Sequence, residues 1–356
     1  MILEECLAHI APADQEGLRL ARERADRLLM PRCALGKLLE LGEKAAGITG
    51  FLRMDLKRKA IVVMAGDHGV TEEGVSAYPR EVTAQMVESF VLGRAGINVL
   101  ARHAGIDVLI VDMGVAAEIP PRIRASVRDA RIAAGTRNIR RGPAMERAQA
   151  AAAIESGIRI ARELAGAGVR MLGTGDMGIG NTTPSTAIAA AATGRLVREL
   201  VGRGTGITDA ALARKAEVIE DAIAVNAPDP SDPVGMLGKI GGFEIGGIAG
   251  LILGAAERRV PVVVDGVIST AAALIAFLLK PCVRDLIFCA HRSVEPAQEA
   301  MLDLMGLEPI LDLAMRLGEG TGCALAMPIV EAGARVILEM ATFEEAGMEA
   351  AAGGAP

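Results

Sequence analysis

Apolar positions change rhythm along the chain, and each rhythm predicts a different element. Over residues 14–46 charges are dense, and Leu18, Ala21, Ala25, Leu28 and Leu29 recur at helical spacing. Pro31 interrupts that run, and a second helix is predicted over 35–46. From residue 60 the apolar residues gather instead in short unbroken runs, at 60–65, 108–112, 169–172, 260–265 and 286–290. Runs of this length, rich in Val and Ile, predict strands buried on both faces. Helical stretches are predicted between and after them at 81–103, 144–165, 184–201, 209–225, 243–256 and 269–279.

Strands alternating with helices predict an α/β fold, a parallel sheet with helices on both faces. Most of the strands run into Gly, Asp, His or Ser, as in Gly66-Asp-His-Gly69, Asp265-Gly266 and His291-Arg-Ser293. Those polar groups then collect at the carboxyl edge of the sheet, where open α/β sheets bind ligands. The sheet-forming part is expected to span 56–295, with the helical segments 1–55 and 296–356 packed together as a small second domain. The proline-rich stretch 226–233 reads as a surface loop, and the Glu/Ala/Gly-rich end, 344–356, as frayed.

Composition narrows the partners. The 356 residues are 51% hydrophobic but 2% aromatic, so the core must be built from Ala, Val, Ile, Leu and Met. Tyr78 is the only tyrosine and tryptophan is absent, which removes the stacking platforms of single-strand binders. A net charge of −6 also argues against nucleic acid as a partner. Cys6, Cys33, Cys282, Cys289 and Cys323 are widely spaced and form no Cys-x-x-Cys. They suit a reducing cytoplasm better than a disulfide framework or a structural zinc site. The start, Met1–Cys6, lacks the basic-then-apolar order of a signal peptide. The most apolar stretch, 260–279, contains Asp265 and Gly266 and reads as strand–turn–helix rather than a membrane span.

The densest chemical signal is Gly173-Thr-Gly-Asp-Met-Gly-Ile-Gly-Asn-Thr-Thr183, between the run at 169–172 and an alanine-rich helix opened by Pro184. Strand, glycine-rich loop and helix start is an arrangement that binds phosphate, because bare backbone N–H groups approach the anion closely. Gly180 is followed by Asn181, which excludes the Gly-Lys-[Ser/Thr] of P-loop NTPases. Gly173, Gly175 and Gly178 match a dinucleotide fingerprint, but the region about 20 residues on is the basic stretch 195–201 rather than a strand ending in an acid. A nicotinamide-dinucleotide oxidoreductase is therefore the minority reading.

The second sharp feature is Leu317-Gly-Glu-Gly-Thr-Gly322. Glu319 has glycine on both sides and can approach a ligand closely; equally, it can be a first-turn glutamate favoured by the helix dipole. A helix start nearby would depress its pKa and burial would raise it. Asp67 and His68 are expected to fix their loop by hydrogen bonds. The histidines at 9, 68, 103 and 291 show no metal-ligand spacing, and no metal is expected. Ser293 is expected to cap a helix, a role compatible with donating to phosphate. Lys215 lies beside a helical apolar stripe, where a solvated lysine is the default. Asp265 ends the most hydrophobic strand, which calls for a hydrogen bond to ligand or loop.

Taken as an ordered set, several stretches resemble one family: Ala65–Val70 with Gly74–Met86, Gly135–Asn138 with Gly142–Met145, Gly175–Thr183, Gly241–Gly247, Val264–Gly266, His291–Ser293 and Leu317–Gly322. The chain resembles the nicotinate-nucleotide–dimethylbenzimidazole phosphoribosyltransferases from about residue 18 to 340. The resemblance implies a Rossmann-like α/β domain, a small helical domain and a homodimer. It implies phosphoribosyl transfer from nicotinate mononucleotide to 5,6-dimethylbenzimidazole in cobalamin assembly, without a cofactor. On these motifs Glu319 matches the general base. Gly175, Asp176, Met177, Gly178, Ile179, Gly180, Asn181 and Thr182, with Gly204, Lys215 and Ser293, match the pocket for the mononucleotide and its phosphate. Ser76, Tyr78 and Gln85 fall near the base-binding pocket. Two stretches depart from the family pattern: Asp176 stands where the family usually has Glu, and Met30–Gly36 replaces an early Lys-Pro-x-Gly-Ser-Leu-Gly. Transfer to adenine, another benzimidazole or a phenol, and a nucleotide-binding homologue without catalysis, are the alternatives.

Overall fold

In the computed structural model, which describes residues 1–348, β1 (Lys59–Gly66), β2 (Asp107–Gly114), β3 (Arg128–Asp129), β4 (Met171–Met177), β5 (Val262–Val264), β6 (Ile287–Ser293) and β7 (Pro309–Met315) form one sheet. The order is β3-β2-β1-β4-β5-β6-β7 and every pair is parallel. All eight residues of β1 are buried, as its unbroken apolar run requires. The order reverses beside β1, and β1 and β4 are the central pair through which ligand-binding edges of such sheets usually form.

Two strands are absent from the sequence reading, and both are edges. β3 has two residues, too short for any pattern. β7 opens on Pro309, carries Asp312, and is half-exposed, so it shows no buried run. Its pairing with β6 and the packing of helix Pro296–Met305 against helices 182–193 and 267–279 attach residues 296–315 to the sheet, not to the helical segment expected there. Helix Ile2–His9 likewise lies on helix Arg147–Gly166, where Leu3 N donates to Glu155 Oε1. Helices Gln15–Ala25, Lys37–Thr49 and Thr321–Glu339 do pack together. A Cβ on Gly42 would lie 2.4 Å from Gly333 O, so glycine sets the closeness of that packing.

The aliphatic core forms as composition demands. Helix Phe243–Glu257 is buried along nearly its whole length and crosses helix Arg147–Gly166 at backbone contact. A Cβ on Gly250 would lie 1.8 Å from Ile154 O, and one on Gly157 1.9 Å from Gly247 O. Helix Thr321–Glu339 has the length and apolarity of a membrane span, but much of it is buried against helix 37–49 and β6. The stretch 260–279 is strand, turn and helix, as expected.

Two predicted helices are each split at a left-handed glycine. The stretch 81–103 becomes Val82–Val91 and Gly96–Ala104, turning at Gly93 (φ 72°). The stretch 184–201 becomes Thr182–Thr193 and Val197–Leu200, turning at Gly194 (φ 69°). Glycine takes this conformation without the Cβ clash that deters other residues. Of the end expected to fray, 344–348 is turned back by bonds from Ala346 N to Thr342 O and Met348 N to Phe343 O, while 349–356 lies outside the described residues.

Candidate active site

The glycine-rich segment divides between strand and loop. β4 runs to Met177, so Gly175, Asp176 and Met177, expected in a phosphate loop, belong to the sheet. Gly175 is bare because the Glu319 loop lies on it: a Cβ there would sit 2.6 Å from Glu319 O. The loop proper is Gly178–Asn181, which turns at Gly180 (φ 89°) into the helix starting at Thr182. Gly178 packs over Gly66 O, where a Cβ would be 2.3 Å away, and Ile179 N donates to Thr83 Oγ1 at 3.1 Å.

Glu319 sits above β4 in a left-handed conformation (φ 63°), between Gly318 (φ 80°) and Gly320 (φ 90°). Three such residues in succession turn the chain sharply into helix 321–339 and leave Glu319 5% exposed. Its Oε2 accepts from Ile97 N at 3.1 Å, at the start of helix 96–104. Both influences weighed on the sequence therefore act at once. Burial raises the Glu319 pKa, the Ile97 N–H lowers it, the Asp265 charge raises it, and the net direction is upward.

Asp265 is wholly buried and its carboxylate binds the loop. Oδ2 accepts from Gly320 N at 2.9 Å and Oδ1 from Gly322 N at 2.8 Å. Of the two partners open on the sequence, ligand or loop, the structure uses the loop. Asp176 is buried next to it, with Oδ2 accepting from Asn181 Nδ2 at 3.0 Å and Oδ1 unpartnered among the described residues. Burial, together with the charges of Asp265, Glu244 and Glu319, lifts the Asp176 carboxyl far above the usual range.

A second cluster lies at the start of helix 182–193. Lys215, expected by default in solvent, is completely buried. Its Nζ donates to Thr182 Oγ1 at 2.7 Å and to Gly202 O at 3.1 Å. Burial pulls its pKa down to about 8, against the opposing charge of Glu295. Gly204 (φ 51°) donates its N–H to Glu295 Oε1 at 2.8 Å and lies against Thr182. Ser293 is the last residue of β6 rather than a helix cap. Its Oγ accepts from Glu295 N at 3.2 Å, and Glu295 itself precedes helix 296–305. Lys215, Thr182, Gly204 and Ser293 thus meet through Glu295 and the 202–204 turn, although 111 residues separate Thr182 from Ser293 in sequence (293 − 182).

Ser76 and Ala77 reach Thr205, next to the 202–204 turn. Ser76 Oγ lies 3.3 Å from Thr205 Oγ1, and Ala77 N donates to the same oxygen at 3.0 Å. Tyr78 is exposed, and Gln85 is exposed on the helix whose Thr83 holds Ile179. Asp67 and His68 fix loops as expected: Asp67 Oδ2 accepts from Ala116 N at 2.7 Å, and His68 Nε2 lies 2.8 Å from Glu244 Oε1. Burial works to lower the His68 pKa, but the charge and hydrogen bond of Glu244 prevail and raise it. Among the described residues, Glu5, His9 and Glu257 are close enough to share an ion, at the far end of helix 243–257 from Glu244; both Glu257 oxygens already bind Arg162.

Sequence reasoning missed Ile97, Glu244 and Glu295. Glu244 stood inside a quoted motif without a role. Ile97 and Glu295 act through a backbone N–H and through a turn 91 residues away, and neither leaves a residue-type signal.

The fold and this site define a phosphoribosyltransferase: a protein-family model described as "Phosphoribosyltransferase" matches residues 10–348. Two curated relatives named nicotinate-nucleotide–dimethylbenzimidazole phosphoribosyltransferase, from Geotalea uraniireducens and Geobacter sulfurreducens, are each 55% identical over 347 residues, 98% of this chain and 98% of theirs. The crystal structure of CobT from Thermus thermophilus superposes with a TM-score of 0.89 at 43% identity, covering 94% of this chain and 99% of that one. The chain belongs to the nicotinate-nucleotide–dimethylbenzimidazole phosphoribosyltransferase family.

Proposed function

We propose that the protein transfers the 5-phosphoribosyl group of nicotinate mononucleotide to 5,6-dimethylbenzimidazole, releasing nicotinate and forming α-ribazole 5′-phosphate for cobalamin's lower ligand. The observation that carries this reading is Glu319, a buried carboxylate held at the carboxyl edge of the sheet with its pKa raised by burial. A base of that strength accepts a proton from an azole more readily than an ordinary glutamate does.

The chemistry asks little of the protein beyond that base and good positioning. One ring nitrogen of the benzimidazole attacks C1′ as the bond to the pyridinium nitrogen breaks. The departing electron pair neutralises that ring, so nicotinate leaves without acid assistance. Attack opposite the leaving group inverts C1′ and gives the α product. The other benzimidazole nitrogen gives its proton to Glu319. A general base contributes on the order of 10²–10⁴ in rate, and orientation of the donor supplies much of the rest.

Lys215, Thr182, Gly204 and Ser293, with the loop Gly178–Asn181, are proposed to hold the mononucleotide phosphate. A lysine drawn down to about 8 by burial regains its charge fully beside an anion, which supports this role. Asp176 and Met177 are proposed to line the β4 floor beneath the donor, while Gly175 seats the Glu319 loop. Ser76, Tyr78 and Gln85 are proposed to border the acceptor base. We propose further that the protein acts as a homodimer in the cytoplasm; five free cysteines fit that compartment.

A product assay tests the reading. Purified protein with nicotinate mononucleotide and 5,6-dimethylbenzimidazole is expected to release nicotinate and α-ribazole phosphate in equal amounts. Adenine and phenol run in parallel report acceptor choice. No product with any acceptor would leave a binding-only homologue.

A further inference from the structure

Asp265 is held from every side. Its N–H donates to Thr174 Oγ1 at 3.0 Å, its carbonyl accepts from Gln298 Nε2 at 3.3 Å, and its two carboxylate oxygens take the N–H groups of Gly320 and Gly322. Those two N–H groups flank the turn from left-handed to helical backbone, a concavity that binds anions. Here the anion is the protein's own side chain. The fit leaves no slack: a Cβ on Gly322 would lie 2.6 Å from Asp265 Oδ1 and 2.1 Å from His291 Cδ2, and one on Gly320 would lie 2.6 Å from Ile61 Cγ2.

Glu319 is one residue from that clamp, in a conformation that residues other than glycine adopt only when the surroundings impose it. Its backbone lies on bare Gly175, and its carboxylate reaches Ile97 N in a different element. Nothing in residues 317–322 favours a left-handed glutamate over a first-turn helical one. The charge-assisted bonds to Asp265 on its C-terminal side do.

We infer that Asp265 is the positioning residue of the reaction: its carboxylate holds the 318–322 turn so that Glu319 is presented as base, without itself touching substrate. This rests on the reading of Glu319 as the base. The groups facing Asp265 are His291 on β6, with Nε2 at 3.6 Å from Oδ1, Asp176 on β4, and Glu319 and Cys323 around the turn. Its charge raises the proton affinity of Asp176 and, after burial, of Glu319, so the clamp also adds to the strength of the base it holds.

The test is Asp265→Asn, which keeps the volume but offers one acceptor for two N–H donors. Three quantities are compared with the unmodified protein: kcat, the Kd of nicotinate mononucleotide by calorimetry, and the titration of the Glu319 carboxyl carbon by ¹³C NMR, assigned with Glu319→Gln. The expected result is a kcat lower by about tenfold or more, since a base misplaced by about 1 Å costs up to about 100-fold. Donor affinity should stay within about threefold, below the tenfold that 1.4 kcal/mol represents. The Glu319 titration and the acid limb of kcat should both move to lower pH while donor affinity is kept. A kcat within about twofold, or an unmoved Glu319 titration in a folded variant, overturns the proposal. Should Asp265→Asn not fold, Thr174→Val loosens the Asp265 backbone instead and is judged by the same readouts. An unmodified protein that forms no product would defeat the transferase reading, while the carboxyl titration still decides whether Asp265 controls Glu319.

Discussion

Glu319 Oε2 accepts a hydrogen bond from Ile97 N at 3.1 Å, across 222 residues of chain. The contact exists because helix 82–91 stops, the chain turns at Gly93 and a new helix starts at Gly96, turning an N–H toward the 318–322 turn. One break in a helix thereby supplies the stabilising dipole for the proposed base.

Replacing that carboxylate tests its role directly. Glu319→Gln is expected to keep the fold and mononucleotide binding while lowering kcat by about 10²–10⁴-fold. In the unmodified protein kcat should rise with pH through a midpoint above the ordinary glutamate range, because burial raises the Glu319 pKa and the carboxylate is the active form. The variant should lack that limb. Nicotinate release measured from pH 4 to 9 decides both.

Asp176 should reveal itself in the pH dependence of stability. Folding raises its pKa, so the folded state retains a proton that the unfolded chain releases once pH passes the ordinary aspartate value of 3.8. Stability therefore falls as pH rises from there through the raised pKa. Asp176→Asn removes that slope and should melt progressively higher than the unmodified protein as pH increases. Calorimetric Tm values across pH 4–9 that run parallel would reject this.

Lys215→Met should separate binding from chemistry. Charge-assisted hydrogen bonds are worth about 1.5–3 kcal/mol, so the KM for nicotinate mononucleotide should rise by about 10–100-fold, with kcat at saturation changing less. In the unmodified protein, donor affinity should weaken as pH climbs past about 8, where Lys215 loses its charge. A Kd flat from pH 7 to 10 would remove Lys215 from the phosphate site.

Gly250→Ala tests the core rather than the site. A methyl there would lie 1.8 Å from Ile154 O, so helices 147–166 and 243–257 must part. The expected cost is about 1–3 kcal/mol, read as a lower urea midpoint, with the activity of folded molecules preserved. An unchanged midpoint would mean that the helices do not cross at this point.

Much of the fold was legible because buried parallel strands write themselves as short apolar runs. The runs ending in Gly66, Asp265 and Ser293 do reach one edge of one sheet. β7 was illegible because an edge strand has one covered side and tolerates Pro309 and Asp312. The glycine motif at 173–180 was legible as important but misleading in its reason. Part of it clears room for the Glu319 loop, and bare backbone reads the same whether a phosphate or another peptide lies against it.

By itself, the sequence determined the alternation of strand and helix, the aliphatic core, and the set of polar residues at strand ends, because each is a local consequence of residue type and spacing. Only the tertiary structure decided that Asp265 binds the turn at Gly320, that Lys215 is buried against Thr182, and that Ile97 meets Glu319. Those pairings join residues far apart in the chain through backbone groups that every residue carries. Their strength comes from burial, which exists only once the sheet has brought its carboxyl edge together.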